Sequence, residues 1–117
     1  MPIELFPYLC VADTARAIAF YTEAFGAREK FRLVEPSGRI GHAEVEIDGQ
    51  VLMLCDPFPE FGIAPPAVAG RAGVTLHLHV GDADAVVARA LAAGATLERE
   101  VADAFYGERG GAVVDPF

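Results

Sequence analysis

The sequence predicts an α+β fold built from two copies of one βαβββ unit, and three observations carry that reading. First, residues 74–80 alternate strictly, with Leu76, Leu78 and Val80 on one side and Thr75, His77 and His79 on the other, which is the period of a half-buried strand. Second, beyond Gly81 the period becomes helical: Ala83, Val86, Val87, Ala90 and Leu91 share a stripe, with Asp82 placed to cap its start and Gly94 its end. Third, the same succession occurs earlier. Leu5, Leu9 and Val11 alternate with Phe6, Tyr8 and Cys10, and Asp13 then opens a helix carrying Ala17, Ile18, Tyr21 and Phe25. Val11 and Val80, Asp13 and Asp82, Gly26 and Gly94, and Asp48 and Asp115 are all separated by roughly 68 residues, the mark of a duplicated unit.

At 117 residues the chain is one domain, divided into repeat one (1–56), a connector (57–73) and repeat two (74–117). An apolar content of 53% with 22% charged residues is that of a soluble globular protein, and no apolar run approaches the roughly 18 residues of a membrane span. The net charge of −8, with Lys and Arg scattered, excludes a nucleic-acid backbone as partner and favours a cationic ligand. The N-terminus has no basic and apolar leader pattern, and two cysteines make no disulfide framework, so the expected location is cytoplasmic.

In chain order, residues 3–11 read as a strand and 13–25 as a helix, with Phe20 off the main stripe. Residues 28–35 form a second strand ending in the turn Glu35-Pro36-Ser37-Gly38. In a third strand, 40–47, Ala43, Val45 and Ile47 alternate with His42, Glu44 and Glu46. Asp48-Gly49 is a hairpin signal that returns the chain as a strand over 51–55. The connector has four prolines, three glycines and two phenylalanines without period, and reads as a packed connection or a subunit contact. Repeat two then predicts a strand over 74–80, a helix over 83–93, a strand over 95–104, a Gly-rich turn over 106–111 and a strand over 112–114. By the repeat, Asp115-Pro116 stands where Asp48-Gly49 stood, so a further strand is expected after Phe117.

The stretches VADTARAIAFYTEAFGA, GHAEVEIDGQVLMLCDPFPE, LHLHVGDADAVVARALAAGA and GERGGAVVDPF together resemble the vicinal oxygen chelate superfamily of glyoxalases, bleomycin-resistance proteins and extradiol dioxygenases. The hairpin and terminal stretches are most similar to its PhnB-like branch. The resemblance spans essentially the whole chain. It implies that the two repeats form curved mixed sheets around a cleft, and that many relatives hold a divalent metal there on His, Glu and Gln. Aligned on those ligand positions, this chain has Phe6, Met53 and Thr75, and the fourth position would follow Phe117. None of the three is a ligand of that kind, so neither a metal nor another cofactor is expected at the usual site.

The residues expected to line the cleft are Phe6, Tyr8, Cys10, His42, Glu44, Met53, Cys55, Thr75, His77, His79 and Tyr106, mostly greasy walls with a few placed polar groups. Glu44 and His77 are the candidate acid/base residues, a carboxylate among apolar side chains being suited to proton transfer. His77 and His79 share a strand face, but lie about 6.6 Å apart by strand rise, wide for ligands of one ion. Cys10 and Cys55 read as small hydrophobes rather than nucleophiles, and Arg109 as an exposed residue able to close on an anion. The expected function is therefore binding of a small organic ligand in a metal-free cleft between the repeats. The alternative is a lyase, isomerase or dioxygenase of the same fold, using Glu44/His77 acid/base chemistry or a non-standard metal site. Phe20, Phe58 and Phe61 lack an obvious place inside the core, which predicts a homodimer.

Overall fold

The computed structural model describes residues 2–67 and 72–117; the part of the connector at 68–71 lies outside them. The elements run β1 (Tyr8–Cys10), α1 (Thr14–Phe25), β2 (Arg28–Val34), β3 (Ile40–Ile47), β4 (Gln50–Cys55), a single 3-10 turn (Pro59–Phe61), α2 (Ala83–Ala93), β5 (Thr96–Asp103) and β6 (Arg109–Val114). Two sheets result, one ordered β1-β4-β3-β2 and one made of β5 and β6. The fold is α+β, as expected. Among the described residues no helix is long and apolar enough to cross a membrane.

Repeat one is the complete βαβββ unit. Asp13 caps α1 by accepting from the Arg16 amide, and Gly26 ends it in the left-handed region at φ 69°. The Asp48-Gly49 turn closes the β3–β4 hairpin on the pair Ile47 and Gln50, with φ of 48° and 82° at its two central residues, as the tightest hairpin turn requires. β1 then joins β4 in parallel, pairing Tyr8 with Met53, Leu9 with Leu54 and Cys10 with Cys55. One face of this sheet is the core: Ala43, Val45 and Leu54 are fully buried with Ala17, Ile18, Tyr21 and Ala24 of α1. The other face carries the odd positions of β4 and the His42, Glu44 and Glu46 side of β3. Strand alternation therefore separates packing from chemistry.

The side-chain carboxylate of Asp56 stitches the unit together. It accepts from the Thr14 amide at 2.8 Å and the Ile40 amide at 2.7 Å, tying the start of α1 to the start of β3.

Repeat two differs from the sequence expectation. Asp82 caps α2 through the Ala85 amide and Gly94 ends it, but residues 74–80 form no strand and lie exposed. β1 is held by β4, and in repeat two no strand stands beside 74–80 in that role among the described residues, so the alternation has nothing to pair with. The same holds for residues 3–6, where Ile3 and Leu5 are almost fully exposed; the Pro7 carbonyl still accepts from the Met53 amide at 2.9 Å, and the first strand shrinks to Tyr8–Cys10. The expected Gly-rich turn is shorter than 106–111, because Arg109, Gly110 and Gly111 already belong to β6. Gly111 is required there: a Cβ would lie 2.9 Å from the Arg99 carbonyl oxygen and 3.1 Å from the Val101 amide nitrogen.

Two of the three phenylalanines without an expected place are buried. Phe20 packs edge-on against Tyr21, Phe25 and Phe117, and Phe58 lies under the Arg39 guanidinium, 4.1 Å from its ring centroid. Phe61 remains 75% exposed. The terminal segment also departs from the repeat: Asp115 accepts from the Tyr21 hydroxyl at 3.0 Å and the Phe117 amide at 2.8 Å, docking the chain end on α1.

Candidate functional site

The open face of the four-stranded sheet gathers most of the expected residues. Tyr8 and Cys10 come from β1, Met53 and Cys55 from β4, and His42 and Glu44 from β3. The register sets Tyr8 beside Met53, Met53 beside Glu44, and Cys10 beside Cys55. Tyr8 reaches across β4 to place its hydroxyl 2.6 Å from His42 Nδ1, and His42 Nε2 lies 2.9 Å from Glu44 Oε2. Because a carboxylate only accepts, Nε2 supplies the hydrogen to Glu44, and in the neutral ring the phenol then donates to Nδ1. Burial first, then Cys55 and Glu44, raise the Tyr8 phenol above its usual range, which keeps that proton in place.

Apolar surface surrounds this polar line. Phe31 pairs with Glu44 and Leu33 with His42 across β2–β3, and the Phe31 ring centroid lies 5.7 Å from that of His42. Neither residue was among those expected. The signal was present in their spacing of two, but a bulge between Glu29 and Phe31 breaks the alternation that would have assigned their face. Glu46 is held by Arg28 at 2.7 Å. A cavity of about 410 Å³ opens at the β1 edge, lined by Tyr8, Leu9, Cys10 and connector residues Ala64, Pro65, Pro66 and Ala72; the connector as a wall was also not foreseen.

The residues expected from repeat two do not join this group. Thr75, His77 and His79 sit on the exposed 74–80 segment, and the two imidazoles meet each other edge-on at 4.9 Å. The partner of Glu44 is His42, and no hydrogen bond joins Glu44 to His77 among the described residues. Tyr106 lies exposed in the β5–β6 turn against Phe105. Arg109 is not a free cation, since it holds Asp84 at 2.8 Å and Asp103 at 3.2 Å.

A divalent metal at the position used by relatives does not fit these side chains. Phe6 precedes β1 without a donor atom, Met53 offers only a soft thioether, and Thr75 is an exposed hydroxyl on the unpaired segment. Among the described residues no three His, Cys, Asp or Glu side chains converge on one point. No chemical step is therefore routed through such an ion.

Comparison with known proteins agrees with the architecture. An uncharacterised protein of Mycobacterium bovis is 43% identical over 117 residues, covering 97% of this chain and 76% of its own. The crystal structure of TioX from Micromonospora sp. ML1 superposes with a TM-score of 0.65 at 27% identity, covering 95% of this chain and 86% of that one. A glyoxalase-related enzyme from Fulvimarina pelagi shares the fold at a TM-score of 0.73 and 24% identity, over 99% and 82% of the two chains. Residues 5–117 match the family described as Glyoxalase/Bleomycin resistance protein/Dioxygenase superfamily, and the chain belongs to it.

Proposed function

We propose that this protein binds a small organic ligand on the open face of the first sheet, over Tyr8, His42, Glu44 and Met53. The observation that carries the reading is the hydrogen-bonded line Tyr8–His42–Glu44 set among Phe31, Leu33 and Met53, the mixture of greasy wall and oriented polar groups that ligand sites use. The Glu44 carboxylate and a net charge of −8 favour a cationic ligand. A thermal-shift screen of cationic, neutral and anionic aromatic compounds tests this, because a ligand that binds only the native state raises the melting temperature. Hits should be enriched in cations and should lose their shift in His42→Ala and Glu44→Gln. Hits that keep it in both variants would place binding elsewhere.

The same line supports a second reading as a lyase or isomerase, with Glu44 moving a proton and His42, rather than His77, as its partner. A turnover assay on each hit separates catalysis from sequestration.

Three finer readings rest on the same chain. Its hairpin and terminal motifs favour the PhnB-like branch, and its free thiols suit a cytoplasmic setting. We infer a homodimer, since Val74, Leu76, Leu78, Val80 and Phe61 are all exposed. The radius of gyration of 15.2 Å also exceeds the roughly 13 Å of a compact chain of this length. Light scattering should return twice the 12.4 kDa chain mass; a monomer at micromolar concentration contradicts it.

A further inference from the structure

We propose that Cys10 and Cys55 form a two-sulfur site for one soft monovalent cation of the Cu(I) type. The proposal rests on the sulfur geometry and is independent of the organic-ligand reading. Cys10 and Cys55 are direct partners across the parallel β1–β4 pair, so their side chains leave the same face of the sheet from adjacent strands. Both are free thiols. Met53, two residues before Cys55 on β4, leaves that same face but lies about 6.6 Å along the strand, too far to share one ion with Cys55. Two sulfurs from adjacent strands therefore share one patch of the open face.

The dimensions suit a single ion. Adjacent strands stand about 4.8 Å apart, and two metal–sulfur bonds of about 2.3 Å each span nearly that distance. The donor set selects the class of ion. Zinc wants four ligands, but no third His, Cys, Asp or Glu converges here among the described residues. A pair of soft thiolate donors with no further ligand of this kind favours Cu(I).

Access is provided at one end: Cys10 is half-buried and lines the 410 Å³ cavity at the β1 edge, whereas Cys55 is buried. Burial first, then Cys55, pushes the Cys10 thiol up to about 11, and burial raises Cys55 as well. Both sulfurs are thus protonated at neutral pH and unreactive towards ordinary electrophiles. Binding would replace two S–H bonds by two metal–sulfur bonds and release two protons.

The test is a titration of fully reduced protein with Cu(I) under anaerobic conditions, in competition with a chromogenic Cu(I) chelator. The expected result is removal of one equivalent of Cu(I) per chain from the chelator, with no comparable uptake of Zn(II). Cys10→Ser, at the more accessible sulfur, should abolish that uptake while leaving circular dichroism and melting unchanged; Cys55→Ser should do the same for uptake. X-ray absorption of the loaded protein should report sulfur-only coordination. Failure of the reduced protein to take Cu(I), or undiminished uptake in Cys10→Ser, would overturn the proposal.

Discussion

Asp56→Ala is expected to lower the free energy of unfolding by about 2 to 4 kcal/mol, because it strands two amide donors at once. The Asp56 carboxylate accepts from Thr14 at 2.8 Å and Ile40 at 2.7 Å. It also sits where α1 begins, so the negative charge complements the helix N-terminus. Against a total stability of about 5 to 15 kcal/mol for a domain of this kind, that loss is large. Asp56→Asn, which keeps one acceptor oxygen, should cost about half as much in a urea melt.

The same contact has a pH signature. Burial pushes the Asp56 carboxyl up, but the Ile40 and Thr14 amides and then Arg39 outweigh it, and the net result is a value below the ordinary 3.8. A depressed folded-state value means the contribution is fully present above 3.8 and lost as pH falls through the lower folded value. Wild type and Asp56→Ala should therefore differ most at neutral pH and converge in strong acid. A difference independent of pH would mean that the carboxylate is not the stabilising group.

Leu54→Ala is the second large effect, expected at about 2 to 5 kcal/mol. Leu54 is fully buried, flanked by its register partners Leu9 on β1 and Ala43 on β3, and belongs to the core that α1 covers. With a partner as small as Ala43, little nearby side chain is available to collapse into the space left behind, which argues for the upper part of the range. Leu33→Ala, on the open face and 60% exposed, should cost about 1 kcal/mol or less by the same measurement. Equal losses at the two positions would contradict the assignment of core and open faces.

What was legible in the sequence is what local rules determine. Asp13 and Asp82 cap helices where their position before an apolar stripe placed them, and Asp48-Gly49 turns the hairpin whose alternation set the two faces of β3 and β4. Pairing is not local. Residues 74–80 alternate as well as any strand in the chain, yet a strand exists only beside a partner, and none accompanies them among the described residues. Phe20 seemed unplaced because its cover, Phe117, comes from the far end of the chain. The candidate site divides in the same way. The side-chain types and faces of Tyr8, His42, Glu44 and Met53 could be read from period. The contact between Tyr8 and His42, 34 residues apart, required the order in which β4 lies between their strands, and the choice of His42 over His77 as partner of Glu44 followed from it.

A crystal structure of the protein with a thermal-shift hit bound tests the assignment of the open face most directly. The expected result is ligand density over Met53 and against Phe31, with a polar group of the ligand meeting Tyr8, His42 or Glu44. Density confined to another surface, with the Tyr8–His42–Glu44 line unchanged and uncovered, would contradict it.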